Sequence, residues 1–159
     1  MRKVSFPFVG TANIPFENLM RAFGNDVILP SRPTKETLSL GTKYAPEFAC
    51  LPFKIVLGTY IEVLEKGANT LVSTGGVGPC RAGLYTALQE KILKSLGYEF
   101  EMITLEPPSR YLKDLIQNIK KLINVKLSFK DYIRIAKFIW KELQLLDKAE
   151  KLSHKVRPL

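Results

Sequence analysis

Up to residue 106, short apolar runs typical of strands alternate with longer segments whose apolar residues recur at helical spacing. The predicted strands cover 3–9, 26–30, 69–74 and 98–105. The predicted helices cover 14–24, 52–67 and 82–97, and 34–40 leaves room for a loop with a weak turn of helix. Parallel strands need long right-handed crossovers of this kind. The chain therefore predicts an α/β fold with an open, mostly parallel sheet of about four strands.

A glycine interrupts one of the predicted helices. Gly58 lies inside 52–67, where glycine costs about 1 kcal/mol relative to alanine. We interpret it as a hint that this helix packs closely against another element.

After Pro108 the pattern becomes wholly helical. The segments 109–124 and 128–152 both carry apolar residues three and four positions apart, and Ser128 is a suitable N-cap for the second. In the second segment Phe129, Ile133, Ala136, Trp140 and Leu143 form an apolar row. We expect a helical hairpin with lysines on its solvent-facing sides. The predicted division is an α/β domain at 1–106, a helical hairpin at 107–152 and a polar tail at 153–159.

The basic excess of the chain belongs to its C-terminal third. The formal net charge is +9, and residues 107–159 hold 13 Lys and Arg against 5 Asp and Glu. This region has no nucleic-acid motif and no exposed aromatic residues predicted between its lysines. It therefore favours a solvated or protein-docking surface and predicts no nucleic-acid partner.

Composition indicates a globular chain with no membrane partner. Hydrophobic residues make up 46% and charged residues 25%, and no apolar run approaches the ~20 residues that span a bilayer. The N-terminus leads into a short apolar run that contains Pro7 and lacks a small-residue cleavage site, so it predicts a strand rather than a signal peptide. We expect a cytoplasmic protein.

The two cysteines both lie near predicted helix starts. Cys50 directly precedes the helix that Pro52 begins, and Cys80 lies between the third strand and the next helix, in "STGGVGPCRAGLY" (73–85). Ligands bind at the carboxyl edge of open α/β sheets, and helix N-termini stabilise thiolates and bound anions. One helix and one strand separate the two cysteines, so both thiols can face one site at that edge.

Several kinds of site fit this arrangement. Two thiolates suit an iron–sulfur cluster or another soft metal, and the amides of Gly75, Gly76 and Gly78 could approach its sulfides. Lys54 and Arg81 could balance its charge or meet an anionic ligand. The cysteines could equally be buried core residues beside a tight turn, or the loop could bind a phosphate without metal, although no Walker A lysine follows it. His154, the only histidine, lies in the polar tail and suggests no nucleophilic pair.

Residues 47–108 resemble a known family. The motifs that carry the resemblance are C-x-P-x-K at Cys50 and G-P-C-R-x-G at Cys80, and the opening "VSFPFVGTANIPFENLMRAFGNDVILPS" is also similar. The family is that of the CoA-substrate-specific enzyme activase-related proteins, relatives of the 2-hydroxyacyl-CoA dehydratase subunits. The resemblance covers roughly residues 3–108 and continues more loosely through the C-terminal helices.

The resemblance implies a flavodoxin-like or Rossmann-like domain in which Cys50 and Cys80 are ligands of a [4Fe–4S] or related cluster. It further implies that an ATP-dependent activase of the actin/Hsp70 type delivers a low-potential electron, which passes to a CoA thioester for a reductase or dehydratase (lyase) reaction. The related subunits use three cysteines per cluster, whereas this chain has two. We therefore expect a fragment or short form that obtains its third ligand elsewhere, in a homo- or hetero-oligomer. The alternatives are a non-catalytic docking subunit and a metal-free CoA- or nucleotide-binding domain that uses the glycine loop at 75–78.

Overall fold

The computed structural model describes residues 2–75, 81–105 and 112–157. Within these ranges four strands form one sheet: β1 (Lys3–Ser5), β2 (Asp26–Val27), β3 (Thr70–Thr74) and β4 (Glu101–Leu105). Their order is β2-β1-β3-β4 and every pairing is parallel. This order matches the first four strands of the flavodoxin-like arrangement. The predicted open parallel α/β sheet is therefore confirmed, with each strand shorter than its predicted run.

Helices connect and cover these strands. The described helices are α1 (Asn13–Ala22), α2 (Lys35–Tyr44), α3 (Leu51–Glu65), α4 (Tyr85–Ser95), α5 (Leu112–Leu122) and α6 (Phe129–Val156), with short 3₁₀ turns at Gly10–Ala12 and Arg81–Leu84. Helix α2 is a full helix where only a weak turn was expected. Thr34 and Thr37 cap its start reciprocally, since each hydroxyl accepts from the other residue's backbone N–H. Threonine at the third helical position replaces the usual Glu or Gln of such a cap.

Two apolar clusters lie on opposite faces of the sheet. Leu71 of β3 packs with α3 and α4, whereas its neighbour Val72 packs with α1 and α5. Successive side chains of a strand point to opposite faces, so a central strand covered on both sides is buried at consecutive positions, as β3 is from Thr70 to Ser73. Apolar side chains therefore pack on both faces of the sheet, and β3 contributes to both clusters.

The C-terminal helices pack on the α/β body. Leu122 of α5 is 1% exposed within the cluster that contains Val72 and Ile103. Helix α6 lies against α1, where the Asn18 amide donates to the Glu142 carboxylate at 2.7 Å. The division at residue 106 stays a prediction, but α5 shares the core of the sheet, and α6 continues into the segment expected to be a polar tail.

The start of α6 confirms its predicted cap, but its buried side differs from the prediction. The Ser128 N–H donates to the Asp131 carboxylate at 2.9 Å. The apolar row assigned to the inside of the hairpin is exposed instead, with Phe129 at 78% and Trp140 at 64%. The half-buried side carries Ile135, Ile139 and Leu146. Helix α6 has more than one apolar row, and helical spacing alone cannot tell which row meets α1.

Helices α2 and α3 meet backbone to backbone through two glycines. A Cβ at Gly58 would lie 1.9 Å from the carbonyl oxygen of Thr37, and one at Gly41 would lie 1.7 Å from that of Lys54. Real Cβ atoms do not approach a backbone this closely. The close packing inferred from Gly58 is therefore confirmed, and its partner is α2.

Tyr60 joins α3 to the central strand. Its side chain is fully buried, and its hydroxyl donates to the carbonyl oxygen of Val72 at 3.1 Å. Burial raises the pKa of the phenol well above its ordinary value, although a hydrogen bond with Ser73 acts in the opposite direction. The hydroxyl therefore stays protonated in the folded chain.

We predict that Gly58→Ala destabilises the fold despite the better helix propensity of alanine. Propensity alone would raise the free energy of unfolding by about 1 kcal/mol. The clash with the Thr37 carbonyl should instead lower it by about 2–3 kcal/mol, because a backbone must move to make room. Urea denaturation measures the difference. Thr42→Ala, at an exposed position of α2, is the control and should stay within about 0.5 kcal/mol of the wild type; an unchanged or stabilised Gly58→Ala would contradict the close contact.

We also predict that Tyr60 makes the fold sensitive to alkali. Its pKa is raised on folding, so its contribution to stability is fully present below the unfolded value of about 10 and is lost as pH rises above it. Tyr60→Phe should lose about 1 kcal/mol near neutral pH through the missing hydrogen bond, and this deficit should shrink above about pH 10. Denaturation of both proteins across this range tests it, and a deficit independent of pH would contradict the assignment.

Candidate functional site

The candidate site lies at the carboxyl edge of the sheet. Gly75 follows β3 there, and its N–H donates to the carbonyl oxygen of Leu105 at the end of β4, at 3.2 Å. This glycine amide is therefore engaged with the backbone of the neighbouring strand. Three predicted site residues of the same loop, Gly76, Gly78 and Cys80, lie outside the described residues.

Cys50 lies at the position predicted from the sequence. It is the N-cap of α3, with an extended backbone (φ −69°, ψ 160°), and Pro52 is in the first turn. Proline suits this place because the first N–H groups of a helix have no intrahelical acceptor. The Cys50 side chain is exposed, so the alternative that it is a buried core residue is not supported.

Tyr85 brings the start of α4 to Cys50. The Tyr85 hydroxyl contacts the Cys50 Sγ atom, and its ring packs edge-on against Phe53 with centroids 4.9 Å apart at 84°. Phe53 of α3 is fully buried, so its contact holds the Tyr85 ring in place. The N-termini of α3 and α4 therefore meet, and α4 follows the segment that contains Cys80. Sequence reasoning missed Tyr85, because nothing local distinguishes a site tyrosine from a packing one.

An open, largely apolar cleft surrounds this contact. Its volume is about 370 Å³, and its described lining comprises Phe48, Ala49, Cys50, Phe53, Leu84, Tyr85 and Leu88. The rim is unusually exposed, with Phe48 at 77% and Leu84 at 73%. Leu84 lies in the 3₁₀ turn that precedes α4, not within the helix itself. The cleft thus offers a thiol and a phenol hydroxyl between apolar walls.

The structure describes the side chain of only one of the two cations predicted for the site. Lys54 lies one turn into α3, and its ammonium group donates to the backbone carbonyl of Glu47 at 3.4 Å. It is absent from the described lining of the cleft. The backbone of Arg81 begins the 3₁₀ turn, and its side chain lies outside the described part of the structure. The charge-balancing role of both residues stays a prediction.

No metal-binding group is complete within the described residues. In the ranges 2–75, 81–105 and 112–157, no three His, Cys, Asp or Glu side chains come together in a way that could hold a metal ion. Cys80 falls outside this search. His154 lies on α6 and is exposed, as its place in a polar segment suggested.

A second, smaller pocket lies at the carboxyl ends of β1 and β3. The chain leaves β1 towards β2 and leaves β3 towards β4, so the two connections run to opposite sides of the pocket. Its volume is about 60 Å³, and its lining includes Phe6, Phe16, Met20 and Leu105. This is the crevice in which flavodoxin-like folds bind ligands. Because its walls are mainly apolar, it suits a small hydrocarbon group better than a phosphate.

We predict that the Tyr85 ring, more than its hydroxyl, holds the two helix starts together. Tyr85→Ala removes the edge-on contact with Phe53 and should lower the free energy of unfolding by about 1–3 kcal/mol. Tyr85→Phe keeps that contact and should lose less than about 1 kcal/mol. Urea denaturation distinguishes the two, and equal losses in both variants would show that the hydroxyl dominates.

Comparisons with protein-family models, curated proteins and solved structures find no significant match to the chain. No helix in the described ranges is both long enough and apolar enough to cross a bilayer.

Proposed function

We propose that the chain is an iron–sulfur domain of the 2-hydroxyacyl-CoA dehydratase-like type. It accepts low-potential electrons from an ATP-dependent activase and passes them to a CoA thioester or a similar substrate. The observation that carries the proposal is the position of Cys50, exposed at a helix start and in contact with the first residue of α4. A cytoplasmic location belongs to the same proposal, because a reducing compartment keeps ligand thiols reduced.

The described residues fit one part of such a centre. A [4Fe–4S] cluster takes thiolate ligands, and Cys50 offers a thiol at the wall of a cleft of about 370 Å³. Cys80 is the second proposed ligand, on the strength of its motif. The chain has two cysteines, so the remaining ligands must come from a partner subunit or from outside the protein. The proposal therefore predicts weak or incomplete metal binding by the isolated chain.

The chain's own residues would set the surroundings of the cluster. The Tyr85 hydroxyl lies against the Cys50 sulfur and can donate a hydrogen bond to its thiolate. Phe48, Leu84 and Leu88 would form the apolar part of its surroundings. Hydrogen bonds and solvent access both tune a cluster's potential. When bound, the cluster supplies one-electron transfer.

Anaerobic reconstitution with iron and sulfide, followed by EPR of the dithionite-reduced protein, tests the function. Wild type should bind iron and give a low-temperature cluster signal, alone or with a candidate subunit that supplies the missing ligand. Cys50→Ala and Cys80→Ala should each lose most of the signal. Tyr85→Phe should retain iron but shift the midpoint potential, because it removes a hydrogen bond to a ligand sulfur.

The control is Ser95→Ala, which changes an exposed hydroxyl far along α4. It should match the wild type in iron content and potential. Iron binding that survives in both cysteine variants would contradict the ligand assignment. So would the absence of iron both alone and with a cysteine-bearing partner.

A further inference from the structure

The exposed apolar row of α6 has the spacing of a helix–helix seam. Its members, Phe129, Ile133, Ala136, Trp140 and Leu143, follow one another at intervals of four, three, four and three residues. This alternation is the a/d pattern of a coiled coil, in which two helices pack along one stripe. Four of the five are large apolar residues at least 40% exposed. Within the described part of the chain no element covers them.

A depression along this row has the form that receives a side chain of a second helix. It measures about 460 Å³, and its described lining comprises Ala136, Lys137, Trp140, Lys141 and Gln144. Lys137, Trp140, Lys141 and Gln144 stand at positions i, i+3, i+4 and i+7. With Trp140 on the stripe, these positions place the depression beside the seam, on the side of Lys137 and Lys141. The row therefore has an apolar stripe and, on its lysine side, a depression that a side chain of an adjacent helix can fill.

Charge along the row indicates what kind of helix would bind to it. Lys130 and Lys137 flank the seam on one side, at the positions where coiled coils place their interhelical ion pairs. Neither lysine forms an ion pair with any described residue. The nearby acids are already engaged within the chain, because Asp131 caps α6 and Glu142 accepts from Asn18. An occupant with carboxylates beside its own apolar stripe would complement this edge.

We propose that this face of α6 docks an amphipathic α-helix of a partner protein whose apolar stripe is flanked by Asp or Glu. An antiparallel second copy of the chain fits less well, because it would set Lys130 and Lys137 against the same lysines. A flat anionic bilayer would leave the depression beside Trp140 unfilled. The proposal does not depend on the iron–sulfur function and can fail or succeed separately from it.

The test uses the full chain and two synthetic peptides of three heptads. Both peptides carry leucine at a and d, and they differ only in having glutamate or lysine at e and g. Trp140 is the only tryptophan, so its emission reports contact at the seam. The glutamate peptide should shift this emission to the blue and bind on the order of tenfold more tightly than the lysine peptide. Anisotropy of a labelled peptide gives the affinities independently.

Charge reversal tests the face without removing packing. Lys130→Glu with Lys137→Glu should invert the preference, so that the lysine peptide binds more tightly. Lys148→Glu with Lys155→Glu makes the same change in net charge on exposed positions of α6 away from the seam, and it should keep the wild-type preference. Ile133→Ser should weaken both peptides, with circular dichroism confirming that the variant is folded.

Several results would overturn the proposal. The first is a glutamate peptide that does not bind at millimolar concentration, and the second is equally tight binding of the two peptides. The third is a control pair that loses the preference to the same extent as the seam pair. A blue shift with phosphatidylserine–phosphatidylcholine vesicles but not with the peptide would assign the face to a membrane. A Trp140 spectrum that depends on protein concentration, with a dimer in sedimentation that the peptide does not displace, would assign it to a second copy.

Discussion

The parallel pairing of β3 between β1 and β4 is the constraint on which the rest of the structure depends. Thr70 pairs with both Val4 and Glu101, so three strands run in register through the centre of the sheet. Parallel strands need crossovers, and the crossovers place helices on both faces. All three strands then end at one edge, which is where the loop after β3 begins and where Cys50 lies near the start of α4.

Helix α3 connects the central strand to the candidate site. Its middle is held from two directions, by the backbone contact of Gly58 with α2 and by the hydrogen bond of Tyr60 with Val72. Its N-terminal end is held by the packing of Phe53 on Tyr85. A helix fixed at its middle and at its N-terminal end has little freedom to slide, so the Cys50 sulfur lies at a defined place. The site therefore depends on core contacts a long way from the thiol.

Much of this could be predicted from the sequence, since the sheet follows from alternating apolar runs and helical segments. The location of Cys50 follows from Pro52, and the close approach at Gly58 follows from a glycine where alanine would be better. The contact of Tyr85 with Cys50 could not be predicted, because it joins residues of different helices and has no local signal. Helix α2 is longer than the weak turn predicted for it, since its start depends on a reciprocal cap between threonines rather than on apolar spacing.

The buried face of α6 shows a different limit. Its most regular apolar row runs from Phe129 to Leu143, and the row is exposed, whereas a less regular one with Ile135 and Ile139 meets α1. Spacing identifies apolar rows but not their partners. The charge of the surroundings then becomes informative, because lysines beside an uncovered row imply a partner with carboxylates.

The proposed function requires Cys50 and Cys80 to face one site at the carboxyl edge of the sheet. Binding of phenylarsine oxide to the reduced, metal-free protein tests it most directly, because one arsenic atom bridges two thiols only when they lie close together. If the two thiols share a site, each chain should bind one tight equivalent that resists an excess of a monothiol but is released by a dithiol. Cys50→Ser and Cys80→Ser should each lose it. Binding that a monothiol reverses, or that persists in either variant, would contradict a shared site.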